Sequence, residues 1–172
     1  TALVLYSIGY KFGMAIQLLI VGPFTLAWAP FYWSTFKEKN AQKIYANVLT
    51  YFFAVSIFVA LSISVLSREI LIIMTTPSFY DAYKVIPLIA LSYVLYGCYH
   101  ILSVGFNLKK KTKYVPFIVG TGALTNIGLN LLLIPNYGMM GAGVATVISY
   151  LLLPFGSYLV SQKYYPINYE WG

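Results

Sequence analysis

The chain has 172 residues, 60% of them apolar and 9% charged, with a mean hydropathy of +0.77. Eleven Lys and Arg and four Asp and Glu cannot wet a globule of this size, since a soluble domain carries about 25% charged residues; the same hydrophobicity excludes intrinsic disorder, and a single cysteine excludes a disulfide scaffold. What remains is a polytopic membrane protein, whose net charge of +7 is first a signal of orientation and only then of a basic partner surface; no nucleic-acid partner is expected.

In chain order, the runs 12–36, 44–67 and 85–108 contain no Asp, Glu, Lys or Arg. Each has the roughly 20 residues that cross a hydrocarbon core as a helix. A fourth charge-free run, 114–162, is long enough for two crossings, split by the turn-forming tetrapeptide Pro135-Asn136-Tyr137-Gly138. Five helices are therefore expected, at about 3–33, 44–67, 85–107, 114–134 and 139–161, in an all-α transmembrane bundle. Residues 70–74 are apolar but too few to cross. Behind Arg68 and Glu69 and ahead of Pro77, they read as the frayed end of the second helix or as an interfacial segment.

The connections set the orientation. Lys37, Lys39 and Lys43 follow the first helix, Lys109, Lys110, Lys111 and Lys113 the third, and Lys163 the fifth, so eight lysines fall on one side. Arg68 and Lys84 fall on the other, offset by Glu69 and Asp81. Basic residues collect in the cytoplasm, which puts the N-terminus outside and the C-terminus inside. The chain opens on Thr1 with no basic region ahead of its first apolar run, so that run is not a signal peptide. Residues 1–172 are read as a single membrane domain, a fragment of a longer protein at both ends.

Enzyme chemistry is scarce. Cys98 and His100 point about 200° apart on a helix, and the sequence holds no metal-ligand motif, no CxxC and no phosphate-binding glycine loop. No catalytic residue, metal or cofactor is expected. His100 is read as a packed or interfacial side chain, with a proton relay as the alternative. Lys11 lies mid-membrane if the first helix starts at Ala2, or at the rim if the span is 12–36, where it would snorkel. In either position it is a candidate for an anionic substrate. Gln17, about 120° round the same helix, is a second candidate. Asn126 and Asn130 share a helix face with Gly122 and either hold a neighbouring helix or line a cavity. Lys109, Lys110, Lys111 and Lys113 read as a cytoplasmic loop near anionic headgroups, or as an entrance that meets a pyrophosphate. Gly141 and Ala145 form a small-xxx-small packing pair. Pro23, Pro30, Pro87, Pro116 and Pro154 are each expected to bend a helix. Tyrosines inside the spans (Tyr51, Tyr93, Tyr96, Tyr99 and Tyr150) can stack on sugars if they face a wet cavity.

The stretch from the lysine loop through Thr112, Asn126, Asn130, Ile134-Pro135-Asn136-Tyr137-Gly138 and Gly141-Ala142-Gly143-Val144-Ala145-Thr146 resembles a "K-x-T … N-x-x-x-N … IP-x-YG-x-x-GA-x-x-AT" signature. That signature belongs to the polysaccharide-biosynthesis flippases, the Wzx-type branch of the MATE-like exporter superfamily. Tyr6-Ser7-Ile8-Gly9-Tyr10-Lys11 resembles the head of that family's eighth helix, with Gly9 where Ala is usual. Pro30 matches a Pro closing that helix, and Tyr165-Pro166-Ile167-Asn168-Tyr169-Glu170-Trp171 resembles a link to further helices. The resemblance implies five of 12 to 14 helices, the eighth to the twelfth, in the orientation that the lysines give. It implies alternating-access transfer of a polyprenyl-diphosphate-linked oligosaccharide from the inner to the outer leaflet of a bacterial cell membrane. Membrane lipids and other polysaccharide-assembly proteins are the further partners it implies.

Two other classes compete. A multidrug or organic-cation exporter of the same fold would need acids in its spans, whereas Glu38, Glu69, Asp81 and Glu170 lie near the expected ends. A membrane-embedded glycan-assembly enzyme would need carboxylates or His/Arg clusters at a membrane face. Composition leaves a structural membrane subunit open.

Overall fold

The computed structural model describes residues 2–169, so Glu170 and Trp171 of the expected link lie outside the described residues. Helices follow one another with no strand among the described residues: α1 (Ala2–Gly13), a π-helical turn (Gln17–Val21), α2 (Gly22–Thr35), α3 (Ala41–Met74), a 3-10 segment (Pro77–Lys84), α4 (Ile86–Leu102), α5 (Val104–Leu108), a 3-10 turn (Thr112–Tyr114) and α6 (Val115–Tyr164). Four stretches are long and apolar enough to cross a membrane: Val4–Thr35, Ala41–Met74, Ile86–Leu108 and Thr112–Tyr164.

The last of these is two arms. Within α6, Gly138 adopts φ 55° and ψ −131°, a combination open to glycine and strained for other residues. The chain doubles back there. The Gly141 α-carbon lies against the Leu133 backbone, and Gly122 faces Ser149 and Leu153, which a straight helix would hold far apart. The expected turn is thus present but narrower: Pro135, Asn136 and Tyr137 are still helical, and Gly138 alone makes the reversal.

α3 is longer than the expected 44–67. Arg68 and Glu69 do not stop it; residues 70–74 complete the helix, which ends at Met74. At 1.5 Å per residue it spans about 50 Å, beyond the about 30 Å hydrocarbon core, so it must tilt or project. Residues 2–35 make one nearly continuous helix interrupted by the π turn, where the Gly22 N–H bonds the Gln17 carbonyl. Pro23 follows at once. The extra residue in the turn absorbs the missing proline N–H, as a π-bulge does.

The prolines therefore divide. Pro30 and Pro154 lie inside helices, as does Pro135. Pro23, Pro87 and Pro116 instead occupy the first turns of α2, α4 and α6. A first-turn N–H has no helical partner to lose, so Pro87 and Pro116 start helices and, against expectation, do not bend them; Pro23 differs, because helical residues precede it and the π turn is the local distortion it brings.

α4 is the centre of the bundle. In the stretch Ile86–Leu108, 72% of the apolar window is buried, against 22% or less in the other three. Close approach comes from small residues: Gly9 meets Val85 and Gly13 meets Ile89, while Gly97 meets Phe52 and Val21. On the α6 side Gly143 meets Leu88 and Gly105 meets Ser161. Gly141 packs on the opposite arm and Gly143 on α4, so the contact with α4 runs through Gly143 and not through the expected Gly141–Ala145 pair alone. Outward faces of α3 and α6 are apolar, with Phe58, Val65, Leu124 and Leu131 at least 70% exposed. Such faces suit lipid, not water. The protein is membrane-embedded.

Candidate functional site

The lysine-bearing segments meet at one end of the bundle. Lys109 lies over the rings of Phe36 and Tyr165, Lys111 and Lys163 over Tyr164, and Lys113 over Tyr114. Tyr114 and Tyr164 share a hydrogen bond of 2.7 Å. The connection folds as a Schellman turn: the Lys110 N–H bonds the Asn107 carbonyl and the Lys111 N–H that of Phe106. Lys110 takes the left-handed position with φ 54°. At the opposite end Lys84 pairs with Asp81 at 2.8 Å, which raises the lysine pKa. Tyr165 and Tyr169, past the end of α6, have their phenol pKa values raised by burial.

Between α4 and the two arms of α6 lies a cavity of about 450 Å3. Its polar wall is Tyr96, Tyr99 and His100 from α4, Asn126 from the first arm, and Ser149 and Tyr150 from the second. Tyr93, Tyr96 and Tyr99, with His100 beside them, form one stripe on α4 by the i,i+3/i+4 rule. The rings are in mutual contact: Tyr96 is 4.7 Å from His100 and 5.8 Å from Tyr150, and Tyr99 is 5.0 Å from His100. The His100 carbonyl is held from behind by Trp28 Nε1 at 3.2 Å and Ser103 Oγ at 2.8 Å. Asn126 is fixed by the Asn130 amide, which donates to its Oδ1 at 2.9 Å. The Asn130 Oδ1 is buried without a partner, which is expensive in an apolar medium.

The aromatic chain continues away from the lysine end. Tyr150 touches Tyr93, Tyr93 donates to the Tyr10 hydroxyl at 2.7 Å, and Tyr6 shares a hydrogen bond of 3.2 Å with Thr146. No carboxylate of the described residues lines the cavity. Aromatic rings and hydroxyls beside an amide are side chains that hold neutral polyols through stacking and hydrogen bonds.

Of the residues expected from sequence, the structure brings Asn126 and Asn130 together, with Asn126 on the cavity. Val115 and Val119, at the start of α6, also line it, so the cavity's near end lies close to Lys109, Lys110, Lys111 and Lys113. Lys11 and Gln17 are not among its lining residues. Lys11 is exposed. With Gly9 beside Val85 and Gly13 beside Ile89, Lys11 is level with the first turn of α4, at the rim far from the lysine loop. Gln17 opens the π turn, and its Oε1 is buried without a partner. Cys98 and His100 face different concavities, as their helical spacing requires. Ser149 went unnoticed in the sequence, and Tyr6 and Tyr10 entered it only within the Tyr6–Lys11 resemblance; the Tyr6/Tyr10/Tyr93 pattern marks two facing helices only once α1 and α4 are known to pack in parallel.

The family model described as MatE matches residues 29–132, more than half of the chain. No curated protein and no solved structure matches it.

Proposed function

Because the chain belongs to the MatE family of membrane transporters, we propose that it moves a lipid-linked oligosaccharide across the bacterial inner membrane, by alternating access and without making or breaking a covalent bond. The observation that carries this reading is the cavity of Tyr96, Tyr99, His100, Asn126 and Tyr150, which no acid among the described residues lines. Its rings and amide match sugar hydroxyls. An organic cation would want a carboxylate in the spans, and Glu69, inside α3, is exposed in its last two turns and away from the cavity.

In this reading the lysine-rich end faces the cytoplasm, with the N-terminus outside, and Lys109, Lys110, Lys111 and Lys113 attract a polyprenyl diphosphate to the near end of the cavity. Asn126 and Asn130 then hold the sugar. Lys11, at the opposite rim, meets the diphosphate as it leaves, and Gln17 offers a hinge-side amide at the π turn.

The test is complementation of a strain that lacks its oligosaccharide flippase. Expression of the full gene should clear trapped lipid-linked repeat units, and Asn126→Leu should reduce that clearance about tenfold, the worth of a lost buried hydrogen bond. Failure to clear them, with resistance to cationic dyes gained instead, would assign the exporter function.

A further inference from the structure

A second, larger concavity lies on the other side of α4. It measures about 720 Å3 and runs between α3 and the second arm of α6, with Phe53, Leu95, Leu151 and Phe155 among its walls. Thr50 lines it and also lines a smaller pocket of about 260 Å3, made by Gln42, Lys43, Ala46, Asn47 and Asn168. The two adjoin at Thr50 and again at the neighbours Asn168 and Tyr169, so a polar, basic pocket and an apolar run lie end to end along one groove. Along α3, residues 43, 46, 47, 50, 53 and 54 recur at helical spacing, and Lys43 to Ala54 covers about 16 Å of rise. The polar end sits at the lysine-rich end of the bundle and the apolar run points toward its middle.

Three donors at the polar end, Lys43, Asn47 and Asn168, are uncommitted among the described residues. Lys43 makes no ion pair and lies over no ring among the described residues, unlike Lys109, Lys111, Lys113 and Lys163. The amides of Asn47 and Asn168 make no hydrogen bond among the described residues, and all three side chains are exposed. Gln42 is spent on the chain's own tail, donating to the Pro166 carbonyl at 2.8 Å, and Thr50 donates to the Ala46 carbonyl. Glu38 is the one acid at this end among the described residues and does not line the pocket.

We propose that this groove binds an anionic phospholipid of the leaflet on the lysine-rich side. Its phosphate diester accepts from Lys43, Asn47 and Asn168, and an acyl chain lies along Phe53 and Ala54 beneath it. A free phosphate would gain nothing from the apolar run, and a zwitterionic headgroup would bring its own cation up to Lys43 and offset the attraction of its phosphate. A basic pocket at the membrane surface beside a helix cleft is the arrangement that holds anionic headgroups. The inference does not rest on the transport reading.

The test uses the full protein purified in detergent and native mass spectrometry, with phosphatidylglycerol, phosphatidylcholine and a polyprenyl phosphate added separately. Phosphatidylglycerol should be retained about fivefold more than phosphatidylcholine, the effect of one lysine near an anionic headgroup. Lys43→Gln should bring the two to parity, and Ala54→Trp should remove both by filling the apolar run. Lys43→Gln changes one exposed side chain and keeps the test valid if Ala54→Trp does not fold. Equal retention of the two phospholipids, or phosphatidylglycerol retention untouched by Lys43→Gln, overturns the proposal. So does displacement of phosphatidylglycerol by polyprenyl phosphate, which would assign the groove to a transported lipid. No oligosaccharide enters this assay, so failure of the flippase reading would leave its result unchanged.

Discussion

Tyr93 of α4 donates its hydroxyl hydrogen to the Tyr10 hydroxyl of α1 across 2.7 Å, with the two rings edge to face at 6.0 Å. The pair joins the central helix to the first span in a region that offers no bulk water as a substitute partner. Tyr93→Phe keeps the ring and removes the donor. It should lower stability by about 0.5–1.5 kcal/mol, read as a lower melting temperature of the detergent-solubilised protein. Tyr10→Phe should cost a similar amount, and the double variant little more than either single one, because both report one bond. Fully additive losses would show that the two hydroxyls do not interact.

The reversal at Gly138 makes a sharper demand. A Cβ at φ 55° and ψ −131° meets its own backbone even though nothing else lies within 4 Å. Gly138→Ala should therefore destabilise the hairpin by at least about 1 kcal/mol. Gly128 lies in the helical first arm with open space around it. Gly128→Ala should be neutral or stabilise by up to about 1 kcal/mol. Melting curves of the two variants should move in opposite directions or differ by that sum; identical shifts would mean that the turn tolerates a side chain.

These two positions also show what was legible beforehand. Charge-free runs give the number and order of spans because lipid forbids unpaired charge, and the turn chemistry around Pro135 and Gly138 marks the hairpin. Helix ends were less legible. Arg68 and Glu69 looked like a stop, yet both are exposed on α3, and long charged side chains near a membrane surface reach water without ending a helix. Asn126 was legible as a polar residue in a span, but its choice between packing and cavity depended on where Tyr96 and Tyr150 came to lie. That depended in turn on Gly97 and Gly143 letting α3 and α6 approach α4. Close approach is a property of pairs of helices, and one chain's periodicity does not name the partner.

Those glycines can be tested directly. A Cβ at Gly13 would come within 2.6 Å of the Ile89 Cβ, and one at Gly97 would run into the Phe52 ring. Both sites are buried. Gly13→Ala and Gly97→Ala should each cost about 1–3 kcal/mol through forced separation of helices, despite the better helix propensity of alanine. Gly120→Ala, with nothing within 4 Å of the added carbon, is the matched control and should not destabilise. Loss of stability in the control to the same degree would place the penalty in the helix itself and not in the contact.

The lysine loop carries a strain that glycine would relieve. Lys110 holds φ 54° at the position after α5 where glycine is the usual occupant. Its side chain is exposed and makes no ring contact or ion pair among the described residues, so removing it forfeits little. Lys110→Gly should stabilise by about 1 kcal/mol, the left-handed penalty less the extra freedom glycine has in the unfolded chain. An upward shift of the melting temperature is expected. A downward shift would mean that the lysine side chain contributes more than its backbone costs.

Orientation is the last consequence of the charges. Lys37, Lys39 and Lys43 stand at one end with the 109–113 loop and Lys163, because Phe36 and Tyr165 both lie under Lys109. Arg68 and Lys84 stand at the other, where Asp81 neutralises Lys84. The asymmetry survives folding, so the rule that keeps lysines from being carried across the membrane acts on real clusters and not on residues scattered by the fold. In a Cys98→Ala background, a cysteine at Lys110 should react with a membrane-impermeant maleimide only after the cell is opened, and one at Lys84 should react in intact cells. Both side chains are exposed, so reagent access depends on the side of the membrane and not on burial. The reverse pattern would invert the bundle, and with it the lysine end from which a substrate would be collected.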